Sequence, residues 1–508
     1  MLAKIKSGSL SGIDGFPVQV EVDISFGLPV FNIVGLPEIS VRESKDRVKT
    51  AIKNSGYTFP MERVVVNLAP ADIKKEGTGF DLPVAIAILV ASEVLPKDVA
   101  EAYFIAGELS LDGEVKPIRG VLPLALTAKQ TGCKGIVIPA ENADEAAMVK
   151  GIDVLPVKNL SQVVDFFAGF ERIEHHRIDF SEKKENRLME GIDFSEVKGQ
   201  LHAKRALEIA AAGSHNVLMT GPPGSGKSML AKRMSTILPA LTFEEAVEVT
   251  RIHSVAGTIQ NESAGLFSRP FRSPHHTISD AGLVGGGSKP MPGEISLAHN
   301  GVLFLDELPE FKKNVLEVLR QPLEDGKVTI SRAGMNATYP SQFMLVAAMN
   351  PCPCGFLSDP MGKCTCTAPQ VQKYRSKISG PLLDRIDIHI EVPRLEYRDL
   401  SSGNPGETSA QIQKRVEKAR KKQEDRLTFA GIYNNSRMRS RHLKTFCKLD
   451  TEGEKMLGKA VDVLGLSARA CHCVLRVART IADLENCPDI LHGHLAEAIQ
   501  YRSFDRYL

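Results

Sequence analysis

The sequence contains no tryptophan, and aromatic residues make up only 6% of its 508 residues. This scarcity argues against a nucleic-acid surface built mainly from stacked aromatic side chains. The longest apolar run, Leu82 to Ala91, is well short of the about 20 residues that a membrane-spanning helix needs. The first residues lack the apolar stretch of a secretory signal, so we expect a cytoplasmic protein with no membrane partner.

The chain also has almost no net charge, +2 at pH 7, but its charges are unevenly distributed. Residues 1–170 carry 17 Lys and Arg against 21 Asp and Glu, a net charge of −4. Residues 394–445 carry 13 against 6, a net charge of +7. This basic segment is either a solvated helix face or a surface that binds nucleic-acid phosphates.

Hydrophobic residues make up 43% of the chain and charged residues 24%, which is typical of a folded protein of about three domains. Polar breaks at 171–190 and 401–406 separate three regions, and the last of them has an almost entirely helical pattern. The first alternates short β-like runs with helical stretches, as an α/β or α+β domain does. In the second, near-continuous apolar runs predict an α/β fold with a buried parallel sheet, with strands at 216–220, 302–306 and 343–349.

A phosphate-binding motif follows the first of these strands. Residues 221–228 fit the pattern G-x-x-x-x-G-K-[ST] in full, and a helical run over 227–238 comes next. In this setting backbone N–H groups surround the phosphates of ATP, Lys227 neutralises the β- and γ-phosphates, and Ser228 binds Mg²⁺. The predicted nucleotide-binding residues are Gly221, Pro222, Pro223, Gly224, Ser225, Gly226, Lys227 and Ser228.

Two carboxylates and an amide follow the other two strands. Asp306 and Glu307 come directly after one strand, and Asn350 follows the other. The carboxyl ends of parallel strands are where ligands bind, so we expect Asp306 to hold Mg²⁺ through water. We expect Glu307 to orient and polarise the attacking water, and Asn350 to help hold it. The sequence therefore predicts ATP hydrolysis.

Four cysteines lie directly after Asn350 in a stretch rich in glycine and proline: Cys352, Cys354, Cys364 and Cys366. Four convergent thiolates suit a tetrahedral structural zinc ion, although the C-x-C spacing is less diagnostic than C-x₂-C. The alternative is four reduced thiols without a metal. The chain has nine cysteines, an odd number, and no visible secretory signal, so we do not expect a disulfide framework.

These motifs, together with Ser379-Gly-Pro-Leu-Leu-Asp-Arg-Ile-Asp387, resemble the AAA+ ATPases of the magnesium-chelatase-like branch. The stretches 271–277, 283–288 and 292–310 resemble more specifically the ComM/YifB group, and the resemblance runs over essentially the whole chain. It implies an AAA+ core with insertions and the cysteine loop over residues 191–400. It also implies a C-terminal helical lid domain over residues 401–508.

The N-terminal region, residues 1–169, resembles the Lon peptidase domain, on the stretches 107–120 and 132–139. The position of that family's nucleophilic serine falls near Asp81, and the position of its lysine falls on Leu122. An aspartate cannot replace the alkoxide nucleophile in that chemistry. The resemblance therefore implies a Lon-like α+β domain that lacks the peptidase dyad, followed by a linker at 170–190.

The AAA+ resemblance also assigns roles to two arginines. Arg385 corresponds to the arginine finger that reaches the ATP of a neighbouring subunit, and Arg469 corresponds to the sensor-2 arginine of the helical lid. Each places a guanidinium against transition-state charge, and a finger supplied in trans is worth about 10³–10⁵ in rate. The alternative for each arginine is an ordinary ion pair or helix cap. A finger in trans requires an oligomer, most simply a homohexamer.

Residues 244–287 form an insertion, and 327–339 have the pattern of a hairpin. In similar ATPases such elements line a central pore, which makes Lys289, Lys327 and Arg332 candidates for DNA contacts. The alternative is that these side chains are simply solvated. His275 and His276 suggest a metal site, but adjacent residues on a strand face opposite sides, so we expect a structural or hydrogen-bonding role.

The resemblance to the ComM/YifB group implies a hexamer that uses ATP and Mg²⁺ to translocate on single-stranded, forked or junction DNA. In that group the expected process is branch migration while single-stranded DNA is integrated during natural transformation, with recombination proteins as further partners. Two other classes of function remain open: a chelatase-type motor and a chaperone-like motor, each of which remodels a protein partner.

Overall fold

The computed structural model describes residues 2–75, 77–178, 191–259, 268–287, 290–332, 335–357, 364–394 and 406–502. The chain forms two compact units. The N-terminal unit comprises Met1–Glu185, Phe243–Leu266 and Ser331–Thr338, and the C-terminal unit comprises Asn186–Thr242, Phe267–Ile330 and Tyr339–Leu508. Two segments from within the nucleotide-binding region of the sequence thus belong to the N-terminal unit. Most of the predicted linker, residues 179–190, lies outside the described residues, and the division into four domains stays a prediction.

The N-terminal unit is built on a mixed seven-stranded sheet. Its strands, with the small pair β6–β7, are β1 (Leu2–Ser11), β2 (Asp14–Ser25), β3 (Phe31–Val34), β4 (Arg63–Ala69), β5 (Tyr103–Ile105), β6 (Glu108–Leu109), β7 (Val115–Lys116), β8 (Gly135–Pro139) and β9 (Asp153–Val157). The order in the sheet is β3-β4-β2-β1-β5-β8-β9. β2 pairs antiparallel with β1 and β4, whereas β5, β8 and β9 run parallel.

The helices of this unit cover the sheet. They are α1 (Ile39–Asn54), α2 (Asp81–Ala91), α3 (Lys97–Glu101), α4 (Val121–Gln130), α5 (Ala143–Ala147) and α6 (Leu160–Ala168). Every residue of α2 is buried, so the longest apolar run of the sequence is a core helix. In β2, Val18, Val20 and Val22 are buried in alternation with more exposed polar residues, which is the period-two pattern of a half-covered strand. Among the described residues, no helix is long and apolar enough to cross a membrane.

In the described part of the remaining chain there are nine strands. They are β10 (Val217–Thr220), β11 (Phe271–Arg272), β12 (Gly285–Gly286), β13 (Met291–Pro292), β14 (Val302–Leu305), β15 (Lys327–Arg332), β16 (Met335–Pro340), β17 (Met344–Met349) and β18 (Ile388–Glu391). Five of them form a sheet with the order β11-β14-β17-β10-β18, and every pairing in it is parallel. All four residues of β14 and all six of β17 are buried. The predicted α/β fold with a parallel sheet is confirmed.

The remaining helices begin with α7 (Leu201–Gly213). They continue with α8 (Lys227–Ile237), α9 (Phe243–Ala256), α10 (Asp280–Val284), α11 (Glu294–Leu297), α12 (Lys313–Glu317), α13 (Arg320–Asp325), α14 (Ala368–Arg375), α15 (Gly380–Leu383), α16 (Ser409–Leu427), α17 (Ser440–Phe446), α18 (Thr451–Leu464), α19 (Ala468–Leu484) and α20 (His492–Gln500). The predicted helical C-terminal region is confirmed, and its apolar side chains share one core with α7 and the parallel sheet.

Candidate nucleotide-binding site

The phosphate-binding loop joins β10, an interior strand of the parallel sheet, to the first residue of α8. Gly224 and Gly226 have positive φ angles, +75° and +90°, which glycine adopts at little cost. A Cβ on Gly221 would lie 2.2 Å from the carbonyl oxygen of Val392, so only glycine fits there. The loop therefore opens onto the N-terminus of α8, where backbone N–H groups and the helix dipole favour a phosphate.

Lys227 is held inside this loop. Its side chain is buried, and Nζ donates to the carbonyl oxygens of Gly221 at 2.8 Å and Pro222 at 2.9 Å. It also lies 3.4 Å from Oδ1 of Asn350. Burial lowers the pKa of the Lys227 ammonium, whereas the nearby carboxylates of Asp306 and Glu307 act in the opposite direction. The Lys227 ammonium and the Asn350 amide thus meet at the position where the motif predicts phosphate.

Ser228 and Asp306 form a second contact at the same edge of the sheet. The Ser228 hydroxyl donates to Oδ2 of Asp306 at 2.6 Å. Mg²⁺ takes oxygen ligands at about 2.0–2.1 Å in octahedral geometry, so neighbouring ligand oxygens lie about 3 Å apart. The spacing and the chemistry of this oxygen pair therefore fit Mg²⁺ held between the hydroxyl and the carboxylate, either directly or through water.

Glu307 is exposed and has a left-handed backbone with φ +53°. Its N–H donates to Oδ1 of Asp306 at 2.9 Å, and its Oε2 lies 3.7 Å from Nδ1 of His276. The rings of His275 and His276 lie 4.1 Å apart, so the expectation that they face apart was wrong. The physical reason is that β11 ends at Arg272, and the two histidines lie beyond it, outside any strand. His276 is thus a neighbour of Glu307 that sequence reasoning missed.

Gln200 is a second residue that sequence reasoning missed. It precedes α7 with φ +50°, and its Nε2 donates to the carbonyl oxygen of Ser225 at 2.6 Å. The contact fixes the tip of the phosphate-binding loop from a segment 25 residues earlier in the chain. No local motif marks Gln200, because its role depends on how α7 packs beside the loop.

Arg385 and Arg469 come together on one carboxylate. Glu324 of α13 accepts from Nη2 of Arg385 and lies 3.3 Å from Nη2 of Arg469. Arg385 precedes β18, which runs parallel to β10. Both arginines therefore lie at the amino-terminal edge of the sheet, whereas the phosphate-binding loop follows the carboxyl end of β10. Four residues of strand separate the two edges by about 13 Å.

A cleft of about 430 Å³ lies beside Arg385. Its walls include Val284, Glu317, Arg320, Glu324 and Val328. Asp325 also lines it, so two arginines and three carboxylates border the same depression on the face that carries the finger candidate.

Family models match nearly the whole chain. The model of magnesium chelatase subunit ChlI matches residues 193–400, a second ChlI model matches 20–142, and a C-terminal model of the same subunit matches 406–502. The chain is 45% identical to Competence protein ComM of Haemophilus influenzae, over 100% of this chain and 98% of the relative. The chain belongs to the ComM/YifB family. It is also 43% identical to the protein YifB of Escherichia coli over the same shares.

This ComM/YifB chain is a magnesium-chelatase-like AAA+ protein, and its family implies ATPase activity with ATP and Mg²⁺. A 123-residue stretch, 24% of this chain and 22% of the relative, is 33% identical to Lon protease 2 of Bacillus subtilis. The predicted resemblance to Lon is thereby confirmed.

The two positions of the Lon dyad hold buried side chains in the N-terminal unit. Asp81 opens α2 and accepts from Nε of Arg47 at 2.7 Å and from Nη2 at 3.1 Å. Burial raises the pKa of the Asp81 carboxyl to about 6, although the contact with Arg47 lowers it. Leu122 is buried in α4, where its N–H donates to Glu145. An ion pair and a core leucine thus occupy the places where the dyad is expected.

The four cysteines of the loop after β17 converge. Their sulfur atoms all lie within 4.8 Å of one another. Sγ of Cys352 lies 3.4 Å from that of Cys354 and 3.8 Å from that of Cys364, and the Cys354–Cys364 distance is 3.6 Å. A tetrahedral site with Zn–S bonds of about 2.3 Å places its sulfurs about 3.8 Å apart. The donor set and its spacing fit structural zinc.

This cysteine loop also packs on the nucleotide site. A Cβ on Gly355 would lie 2.5 Å from Cδ of Pro223 and 3.8 Å from Cγ of Asn350. Gly355 itself donates its N–H to the carbonyl oxygen of Cys352 at 2.9 Å. The loop therefore supports two of the predicted nucleotide-binding and catalytic positions directly.

Two of the three candidates for DNA contact lie on one strand, β15. Lys289 lies outside the described residues. Lys327 is exposed at the start of β15, and Arg332 is the last residue of that strand, which pairs with β16 as the predicted hairpin. The outer part of the hairpin, Ser331–Thr338, belongs to the N-terminal unit, where Ala337 lies against Gly12.

Of the predicted insertion, α9 belongs to the N-terminal unit, whereas residues 268–287 belong to the C-terminal unit. Ser254 of α9 donates to Glu145, and its carbonyl oxygen accepts from the N–H of Gly120 at 3.3 Å. Nζ of Lys150 lies 4.5 Å from the ring centre of Phe243.

The structure divides the basic segment into two groups of side chains. Three arginines of α16 make internal contacts: Arg415 with Glu208 and Glu407, Arg420 with the carbonyl oxygen of Ala211, and Arg426 with Asp483. Lys414, Lys418 and Lys421 are exposed, and their spacing places them on one face of α16. The surface available to phosphates is therefore smaller than the net charge of +7 indicates.

Proposed function

We propose that the chain is an ATP-driven motor that assembles into a homohexameric ring and translocates on DNA. The observation that carries the ring is the position of Arg385, at the edge of the sheet opposite to its own phosphate-binding loop. A heterologous, head-to-tail association brings that edge against the loop of a neighbour, and repeated around an axis it closes a ring. Arg469 shares Glu324 with Arg385 and would face the same neighbour.

The described residues have distinct roles in this proposal. When ATP binds, Lys227 would donate to the β- and γ-phosphates instead of to the carbonyl oxygens of Gly221 and Pro222. Ser228 and Asp306 would hold Mg²⁺. Bound Mg²⁺ neutralises charge on the phosphate oxygens. Glu307 orients and polarises the attacking water, which Asn350 helps to hold. Arg385 of the neighbouring subunit stabilises the charge of the transition state.

Translocation on DNA is the second part of the proposal. It is supported by the name of the relative ComM, a competence protein, and by the exposed lysines of α16 together with Lys327. On this basis we propose unwinding and branch migration while single-stranded DNA is integrated during natural transformation and recombination. Recombination proteins are the expected partners, and the cytoplasm is the expected compartment.

The test measures the ATPase rate without nucleic acid, with single-stranded DNA, and with a forked or four-way junction, each at two salt concentrations. We expect DNA to raise the rate and salt to weaken the effect, because phosphate contacts release counterions. Mass photometry with ATP should show a hexamer. A hexamer that hydrolyses ATP but ignores all three nucleic acids would favour the alternative, a chelatase-type or chaperone-like motor that remodels a protein.

We further propose that the four cysteines hold one structural zinc ion. The support is the convergence of their sulfurs at spacings close to those of a tetrahedral site. Zinc would fix the loop that carries Gly355 and so the positions of Pro223 and Asn350.

A further inference from the structure

Asn216, the residue immediately before β10, joins the segment that carries Arg385 to two strands of the sheet. Its Nδ2 donates to the carbonyl oxygen of Arg385 at 2.9 Å. Its Oδ1 accepts from the N–H of Leu345 in β17 at 2.9 Å. One half-buried side-chain amide thus uses both of its ends to connect three segments of the chain.

The backbone of Asn216 adds contacts to the same segment. Its carbonyl oxygen accepts from the N–H groups of Asp387 at 3.1 Å and Ile388 at 3.0 Å. Its own N–H donates to Oδ2 of Asp387 at 3.3 Å. Asn216 therefore contacts the chain before, at and after the turn between Arg385 and β18.

This anchoring matters because Arg385 lies outside any helix or strand, between α15 and β18. Its guanidinium reaches Glu324 and the carbonyl oxygen of Pro381 from that turn. A shift of about 1 Å in a catalytic group can cost about 10²-fold in rate. The amide of Asn216 holds the Arg385 backbone to the strand whose other end carries the phosphate-binding loop.

We propose that Asn216 is a positioning residue for the arginine finger: its side-chain amide fixes where Arg385 meets the nucleotide of the neighbouring subunit. The proposal rests on the proposed action of Arg385 in trans. In this proposal Asn216 is not a catalytic residue, because it acts through the backbone of Arg385.

The test uses Asn216→Ala, with Gln423→Ala as a matched control. Gln423 is buried in α16 and also bridges two backbone groups with one amide: Nε2 donates to Ala212 at 3.1 Å, and Oε1 accepts from Asn435 at 2.9 Å. We expect Asn216→Ala to lower kcat by about 10- to 100-fold with KM for ATP nearly unchanged. Gln423→Ala should keep kcat within about twofold of wild type, although it also loses a side-chain amide that bridges two backbone groups.

An assay with mixed variant subunits distinguishes a misplaced Arg385 finger from general damage to the Asn216→Ala subunit. Lys227→Ala subunits lack a working phosphate loop but retain a finger, whereas Arg385→Ala subunits have the opposite defect. In randomly mixed rings, about a quarter of the heterologous interfaces join an intact loop to an intact finger. Rings that mix Asn216→Ala with Lys227→Ala subunits should therefore regain activity, toward about a quarter of the wild-type rate, because Lys227→Ala supplies an intact finger. Rings that mix Asn216→Ala with Arg385→Ala subunits should regain no activity, because neither subunit has a correctly placed finger.

The outcomes are distinguishable. If Arg385→Ala regains activity with Lys227→Ala but Asn216→Ala does not, the role of Asn216 is overturned while the finger in trans stands. If neither pair regains activity, the finger in trans fails and this proposal fails with it. Should Asn216→Ala not fold, Asn216→Asp is used, because it keeps the acceptor for Leu345 and removes the donor to Arg385. Wild-type kcat in that variant would also overturn the proposal.

Discussion

Gly355→Ala is a single-atom probe of how strongly the cysteine loop supports the nucleotide site. Gly355 has φ +86°, and an added Cβ would lie 2.5 Å from Cδ of Pro223 and 2.7 Å from Cγ. Carbon atoms in contact prefer about 3.5–4.0 Å, so either the loop or Pro223 must move by about 1 Å. A displacement of that size beside the phosphate-binding loop is expected to lower kcat by about 10- to 100-fold.

The substitution also forces a non-glycine residue into a left-handed conformation, which costs about 1–2 kcal/mol. Gly191→Ala measures this cost alone, because Gly191 has φ +85° and no described atom lies within 4 Å of its would-be Cβ. Both variants should lose a similar amount of stability from the backbone in thermal unfolding. Only Gly355→Ala should lose hydrolysis as well.

The assay is steady-state ATP hydrolysis with kcat and KM determined separately, alongside zinc content and thermal unfolding of each variant. Equal kcat values for Gly355→Ala and Gly191→Ala would refute the reasoning, since the contact with Pro223 would then have no effect on the site. A loss of zinc in Gly355→Ala alone would place the effect in the cysteine loop itself rather than in the contact.

Three further predictions test the other groups. Glu307→Gln should bind ATP in an equilibrium binding assay but lower hydrolysis by about 10²-fold or more, and normal hydrolysis would remove Glu307 from the water-activating role. Metal analysis after reducing, chelator-free purification should find about one zinc per chain, lost when Cys352 and Cys364 are both replaced by serine; zinc-free wild-type protein would contradict the site. Burial raises the pKa of the Asp81 carboxyl to about 6 despite its contact with Arg47, so the folded chain holds this proton more tightly than the unfolded chain. The resulting stability is complete below about pH 4 and is lost as pH rises through about 6, by up to about 3 kcal/mol. In urea unfolding, the free energy of unfolding of Asp81→Asn should therefore rise relative to that of wild type as pH is raised from about 4 to about 6. If the difference between the two proteins does not depend on pH, the raised pKa of Asp81 is wrong.

The nucleotide site itself was predictable from local sequence. The spacing of residues 221–228 requires a strand, a tight loop and a helix in succession, and the structure has β10, the loop and α8 at those positions. Asp306 and Asn350 each follow an apolar run, and in a parallel sheet the ends of such strands meet at one edge. Lys227 and Asn350 accordingly lie within 3.4 Å, although 123 residues separate them.

Other features depended on packing that no local pattern encodes. The sequence predicted an insertion of the nucleotide-binding region at 244–287, but the contacts of α9 with Gly120 and Glu145 place that helix in the N-terminal unit. The rings of the two adjacent histidines lie 4.1 Å apart because these residues follow the short strand β11 instead of belonging to it, and strand length is set by neighbouring chain segments.

The sequence by itself determined the chemistry of this protein: a phosphate-binding loop, carboxylates at strand ends and four thiols in one loop, because each motif acts through residues close together in the chain. The tertiary structure alone decided where the two arginines lie relative to the phosphate-binding loop. Arg385 and Arg469 meet on Glu324 only because α13, β18 and α19 pack at the edge away from the loop. Asn216 reaches Arg385 across 169 residues for the same reason: parallel pairing of β10 with β18 aligns their starts.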